Sequence, residues 1–180
     1  MRRRNSLVLA VLLAACGPAA AERADRDKPV NIESDRMTAE DPKKTAVFEG
    51  RVVLTQGTLT IRADRLVIRQ DAKGFQHGIA TGKPASFRQK RDGAEEYIEG
   101  EAERIEYDGQ NERIQFFERA HLRRDSGDDV RGNYISYDTR TEFFSVQSAK
   151  DPKASGQDTR VRAVIMPKKP APDGGGTRPQ

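Results

Sequence analysis

A chain of 180 residues has the length of one domain. Charged residues make up 33% of it and hydrophobic residues 35%, which excludes a thick multilayer core and favours a β-structure that buries one face. The formal charge is +4, but three of the basic residues are Arg2, Arg3 and Arg4, in a segment without acids; beyond residue 21, 29 basic residues face 28 acidic ones, a balance of +1. That near-balance removes the charge argument for a nucleic-acid partner.

Arg2 to Arg4 form a basic start, Leu7 to Ala15 an apolar run too short to span a bilayer, and Ala19-Ala20-Ala21 a small-residue cleavage site. Residues 1–21 therefore read as a signal peptide. Leu13-Ala14-Ala15-Cys16 also fits a lipobox, which would make Cys16 the lipidated first residue; both readings export the chain. Cys16 is the single cysteine, so the domain beyond it has neither a disulfide nor a thiolate metal site.

Residues 22–28 are a polar leader, and Pro29 opens a strand carrying Val30 and Ile32. After a turn at Asp41-Pro42-Lys43-Lys44 comes the most regular stretch, Val47 to Arg69. Phe48, Gly50, Val52 and Leu54 share one parity; after Gln56-Gly57 the alternation resumes with Leu59, Ile61 and Ala63 inward. This is a hairpin with one apolar and one wet face. The step Ala63-Asp64-Arg65 then flips the phase so that Leu66 and Ile68 become the apolar set, as a corner or bulge in a strand would do.

Asp71 to Gly74 reads as a turn and Phe75 to Gly82 is weakly patterned. Gly82-Lys83-Pro84 leads into Ala85 and Phe87, and Tyr97 to Tyr107 alternates again, with Ile105 and Tyr107 on its apolar parity. Ile114 to Arg124 reads as a strand pair around Phe116-Phe117-Glu118, with Ile114, Phe116 and Leu122 apolar. Val130 to Tyr137 and Thr141 to Gln147 form another hairpin, carrying Ile135, Tyr137, Phe144 and Val146. A loop over Ser148 to Asp158, a last apolar strand over Thr159 to Met166, and a tail over residues 168–180 complete the chain. No stretch keeps a helical period, so the class is all-β.

A short motif recurs: apolar, polar, small, acid-or-Asn, any, apolar. It covers Ile32 to Met37, Ile61 to Leu66 and Val130 to Ile135, with a looser copy from Gly100 to Ile105 in which Gly100 replaces the first apolar residue. The small residues stand at 34, 63, 102 and 132. Small residues at repeated corners let a sheet fold tightly over itself, and such steps mean stacked supersecondary units.

At these residues the chain resembles the periplasmic lipopolysaccharide-transport protein A family, of the OstA-type domain superfamily. The matching stretches are Lys28 to Asp35, Val47 to Thr58, Ile61 to Asp64, Gly82 to Phe87, and Ile98 to Gly100 with Tyr107. They fall in the family's order and span residues 28–167. The resemblance implies a half-open, twisted antiparallel β-jellyroll, folded like a taco around an apolar groove that takes the acyl chains of lipopolysaccharide. It also implies head-to-tail stacking through sheet edges, with an inner-membrane export-complex protein at the N-terminal edge and the next copy or the outer-membrane translocon at the C-terminal edge. The location implied is the periplasm, and no cofactor is implied.

With parity and resemblance together, the lipid-facing set comprises Val30, Ile32, Val52, Leu54, Leu59, Ile61, Leu66, Ile68, Phe87, Ile105, Tyr107, Phe116, Ile135 and Phe144, with Ile114, Leu122, Tyr137 and Val146 beside them. The competing reading is a sealed core in an exported scaffold or lipoprotein assembly factor, because a pattern tells which face is apolar and not whether it is filled. Arg62, Arg65, Lys83 and Arg88 are the basic candidates for phosphates near the rim.

Catalytic readings find little support. His77 and His121 stand far apart without a ligand cluster, and no Gly-x-Ser-x-Gly motif occurs. Glu95, Glu96, Glu99, Glu101 and Glu103 could supply a glycosidase carboxylate pair, but acids alternating along a wet strand face explain them more simply.

Overall fold

The computed structural model describes residue 25 and residues 28–71, 74–91, 94–148 and 160–167. The signal peptide and the 168–180 tail expected from the sequence lie outside the described residues, as does most of the loop after Ser148. Ten strands make one antiparallel sheet: β1 (Asn31–Glu33), β2 (Arg36–Glu40), β3 (Thr45–Gln56), β4 (Leu59–Asp71), β5 (Gly74–Lys90), β6 (Tyr97–Asp108), β7 (Arg113–Arg124), β8 (Asp129–Asp138), β9 (Phe144–Gln147) and β10 (Arg162–Val164). Strands β3 to β8 pair each with the next; β1 and β2 both lie along β3, and β9 and β10 both lie along β8. Between β2 and β3 the chain makes a 3-10 turn at Asp41–Lys43.

The register breaks across the middle of every long pairing, and β4–β5 shifts a second time near its end, between Arg69 and Gln70. The central breaks fall between Glu49 and Val52 in β3, Arg62 and Arg65 in β4, Thr81 and Ala85 in β5, Glu101 and Arg104 in β6, and Phe117 and Ala120 in β7. Joined across neighbouring strands, they draw a fold line through the whole sheet. The repeat found in the sequence is this line: Ala63, Ala102 and Gly132 sit on it, and Ser34 falls between β1 and β2, which continue each other along β3 on either side of it.

Apolar residues five apart, such as Ile61 and Leu66 or Val130 and Ile135, would point to opposite faces of an unbroken strand. The corner restores them to one interior, and both members of each pair are buried. Strands β3 and β7 carry an extra residue instead. Gly50 and Arg51 in β3, and Glu118 and Arg119 in β7, take positive φ values between 45° and 80°. The corner of β3 is locked to that of the first edge, where the Asp35 N–H donates to the Gly50 carbonyl and Arg51 Nε donates to Asp35 at 3.1 Å.

The fold line divides the sheet into two leaves. One holds β1, β10 and the halves of β3 to β8 that meet at the β3–β4, β5–β6 and β7–β8 turns; the other holds β2, β9 and the opposite halves. Asp25, from the polar leader, is buried against the β3–β4 turn and accepts from the Thr58 N–H at 2.7 Å and the Thr58 hydroxyl at 2.6 Å.

Several elements differ from expectation: β2 is a strand that the sequence pattern does not mark, and β10 covers only Arg162–Val164 of the stretch expected over Thr159 to Met166. Phe75 to Gly82 is part of one long strand with Ala85 to Lys90, because β5 runs through the corner at Gly82–Pro84. Ile114 to Arg124 is likewise one strand with a kink. Strand β9 begins at Phe144, since residues 139–143 form the turn.

Candidate functional site

Between the leaves the apolar residues form a single cluster that contains every lining position expected from the sequence. Val52, Leu54, Leu59, Ile61, Leu66, Ile68, Phe87, Ile105, Phe116 and Ile135 are buried; Val30, Ile32, Tyr107 and Phe144 are half-buried at its margins. Phe48, Ile98 and the small residues Ala80, Ala85, Ala102 and Ala120 complete it. Ala80 and Ala120 carry too little hydrophobic signal to stand out in the sequence, whereas Ala85 shares the parity of Phe87 and Ala102 marks a corner of the repeat.

The leaves touch in the middle. The Phe116 ring meets Phe87 of the opposite leaf edge-on, with centroids 5.9 Å apart and planes at 74°. It fills the notch left by Gly100, where a Cβ would lie 2.3 Å from the ring. This accounts for the odd member of the repeat: Gly100 stands in an apolar position because the side chain from across the interior occupies its place.

Toward the C-terminal end the packing thins. A cleft of about 310 Å³ opens there, lined by Leu122, Val130, Phe144, Val146, Val161 and Ile165, with Arg124 and Asp128 beside it. Val161, Val164, Ile165 and Met166 are exposed, an unusual concentration of apolar side chains for a wet edge.

The outer face is charged and internally paired. Arg88 and Arg123 flank Glu99 on adjacent strands, with Arg88 Nε 3.0 Å and Arg123 Nε 2.7 Å from its carboxylate. Glu103 pairs with Arg119, and Glu106 with Arg104, whose guanidinium lies 3.9 Å above the Phe117 ring. Glu101, Glu103 and Glu106 thus lie outside the apolar interior. The basic candidates Arg62, Arg65 and Arg88 lie on this same outer face, and Lys83 at the fold line, so none borders the mouth between the leaves. Arg91 and Arg124, which strand parity alone gives no reason to single out, reach from one leaf to the other there.

His121 Nε2 lies 2.6 Å from Asp129 on the outer face, whereas His77 stands opposite Asp108 in the other leaf. No group of three or more His, Cys, Asp or Glu is placed to hold a metal among the described residues.

Comparison with known proteins bears on this geometry. Residues 31–143 match the family model described as LptA/(LptD N-terminal domain) LPS transport protein. The chain belongs to this family. The lipopolysaccharide export system protein LptA of Escherichia coli K12 is 30% identical over 165 residues, covering 91% of this chain and 84% of the relative. The protein of the same name from Haemophilus influenzae is 31% identical over 166 residues, covering 89% and 90%. The crystal structure of LptH, described as the LptA homologous periplasmic component of the lipopolysaccharide transport device of Pseudomonas aeruginosa, superposes with a TM-score of 0.72 at 26% identity, over 79% of this chain and 99% of that one. The all-β, half-open jellyroll is thus the fold of the LptA family. Because the family is one of transport proteins, the hydrolase reading of Glu99 and Glu103 falls, and their carboxylates are already engaged by arginines. The LptA-family match starts with β1 and ends one residue before β9, so β9 and β10 lie beyond it.

Proposed function

We propose that the protein is a non-catalytic periplasmic carrier of lipopolysaccharide, taking its acyl chains between the two leaves and passing them along a row of copies stacked end to end. The carrying observation is an antiparallel sheet folded over a wholly apolar interior yet left unclosed, with edge strands of three to five residues at each end. The lining is proposed to be Val30, Ile32, Val52, Leu54, Leu59, Ile61, Leu66, Ile68, Phe87, Ile105, Tyr107, Phe116, Ile135 and Phe144. Each buried CH₂ of an acyl chain contributes about 0.8 kcal/mol without any directional bond, so chains are held and remain free to slide.

The edges supply the assembly. Strands β1 and β2 are proposed to pair with an inner-membrane export-complex protein, and β9 and β10 with the next copy or an outer-membrane translocon, through main-chain hydrogen bonds. One feature favours a second reading, a closed scaffold without cargo: Leu54, Phe116 and Ile135 have no accessible surface, because the opposite leaf already covers them.

Photo-crosslinking in cells separates the two. A photoreactive phenylalanine analogue at Tyr107 or Phe144, both facing the interior and half-buried, is expected to form lipopolysaccharide adducts. The same analogue at Glu106, of opposite parity, is expected to form none. Adducts at neither interior position would leave the closed scaffold as the better account.

A further inference from the structure

Each leaf ends in a row of turns, and the gap between the rows is the mouth of the folded sheet. Arg91 follows β5 on one rim, its backbone N–H bonded to the Glu96 carbonyl at 2.8 Å. Its guanidinium is ion-paired to Glu96, whose carboxylate also accepts the Ser126 N–H at 2.8 Å, so Arg91 is fixed to its own leaf. The guanidinium also reaches the other rim and grips Glu142 in the β8–β9 turn with two hydrogen bonds, that from Nε measuring 3.1 Å. Such a fork-to-fork pair is the most directional ion pair that side chains form.

The receiving turn is equally well held. Thr139 N–H donates to the Glu112 carbonyl and Asp138 N–H to that of Phe143, each at 2.9 Å. Glu142 itself adopts a left-handed φ of 56°, a conformation that costs a non-glycine residue and persists where surroundings impose it. Close by, Arg124 from the first leaf lies 5.7 Å from the centroid of Phe144, the first residue of β9. Two arginines from one leaf therefore reach the same turn-and-strand segment of the other.

We propose that Arg91–Glu142, supported by Arg124–Phe144, is a releasable strap holding the mouth shut over the C-terminal half of the sheet, and that cargo passing along the interior must undo it. This rests on the carrier reading. An amphiphile with phosphate and sugar groups cannot bury its head among the apolar side chains of the interior without losing hydration that nothing there replaces. Its chains lie inside, its head outside, and the link between them runs through the mouth where these contacts cross. The strap suits opening because its side chains are 19% and 29% exposed, so water and salt can weaken it. The Phe87–Phe116 contact, which is buried, lacks that property.

The test measures uptake of fluorescently labelled lipid A by the full chain in stopped flow. Glu142→Gln, nearly isosteric and at the surface, is expected to raise the association rate about fivefold and to flatten its dependence on salt. Arg91→Cys with Glu142→Cys, in a Cys16→Ser background, is expected to lose uptake when bridged by a short bismaleimide and to keep it when capped with a monofunctional maleimide. Wild-type rates in both Glu142→Gln and the bridged protein would overturn the strap and leave the carrier reading standing. A wild-type chain that takes up no lipid A would overturn the carrier reading, and the strap as a gate with it.

Discussion

The middle of the folded sheet and its C-terminal end are made of the same kinds of residue and are packed very differently. In the middle, Phe116 has no accessible surface, because Phe87 and the notch at Gly100 close over it from the opposite leaf. At the end, Phe144 and Val146 are only half-buried, while Val164 and Ile165 are 55% and 79% exposed. Parity decides which side of a strand faces inward, but a facing strand decides whether that side is filled. At the end the sheet runs out of long strands: β9 has four residues and β10 three. A cargo-binding interior and a stabilising core can thus share one apolar surface, divided by how far each leaf extends.

The largest effect should come from emptying the filled part. Phe116→Ala is expected to lower unfolding stability by about 3–5 kcal/mol, read from the urea midpoint at unchanged slope. Phe144→Ala, at the end, is expected to cost much less, since that side chain is only partly buried and borders the cleft. Equal losses at the two positions would mean that the end is as much a core as the middle.

Much of this division was legible beforehand, and its blind spots have physical causes. The phase flip at Ala63-Asp64-Arg65 and the repeat from Ile32 to Met37 onward located the fold line, because odd spacing of apolar residues is incompatible with an unbroken strand. The continuity of β5 through the corner is hidden because the buried residues on either side of it, Ala80 and Ala85, are small and five residues apart. The kink of β7 uses Glu118 and Arg119 at positive φ, without the glycine that would normally mark it. Gly100 breaks the repeat in the sequence, and its reason, the Phe116 ring across the interior, is a tertiary fact. Arg91 and Glu142 are 51 residues apart, and no local pattern joins them.

Rim and middle should also separate under acid. The rims are held by carboxylates: Asp108 accepts from Gln110 and Asn111 N–H groups, each at 3.1 Å, and Asp138 from those of Arg140 and Thr141 at 3.0 and 2.9 Å. The Asn111 amide and these backbone donors hold Asp108 below its ordinary value of 3.8, and the Thr141 N–H does the same for Asp138. Hydrogen bonds from Ser126, with the Arg91 guanidinium beside them, hold Glu96 below 4.5. A depressed carboxylate stabilises the fold fully above its ordinary value and loses that contribution as pH falls through the lower, folded one. Hydrogen exchange is therefore expected to quicken first at the turn amides 109–112 and 139–143 as pH drops below about 4, after correction for the intrinsic pH dependence of exchange. Amides around Phe87 and Phe116, among apolar neighbours, should hold longer. Simultaneous loss at both would show that rim and middle open as one unit.

The smallest effect on stability should come from removing the C-terminal edge. A chain ended before Arg160 loses β10, which lies along β8 at Asp129 to Arg131 with its own three residues exposed. Its unfolding midpoint should move by the equivalent of about 1 kcal/mol or less, because little apolar surface returns to water. Lipid A uptake should persist, while concentration-dependent association, followed by sedimentation, should weaken. The pairing of outcomes is what matters. If association survives the truncation, the exposed side chains from Val161 to Met166 are not an assembly surface, and the edge left for stacking is β9, on the same side of the mouth as Glu142. Stacking would then bear directly on the rim that Arg91 grips, and neighbouring copies would be expected to alter the rate at which the strap releases.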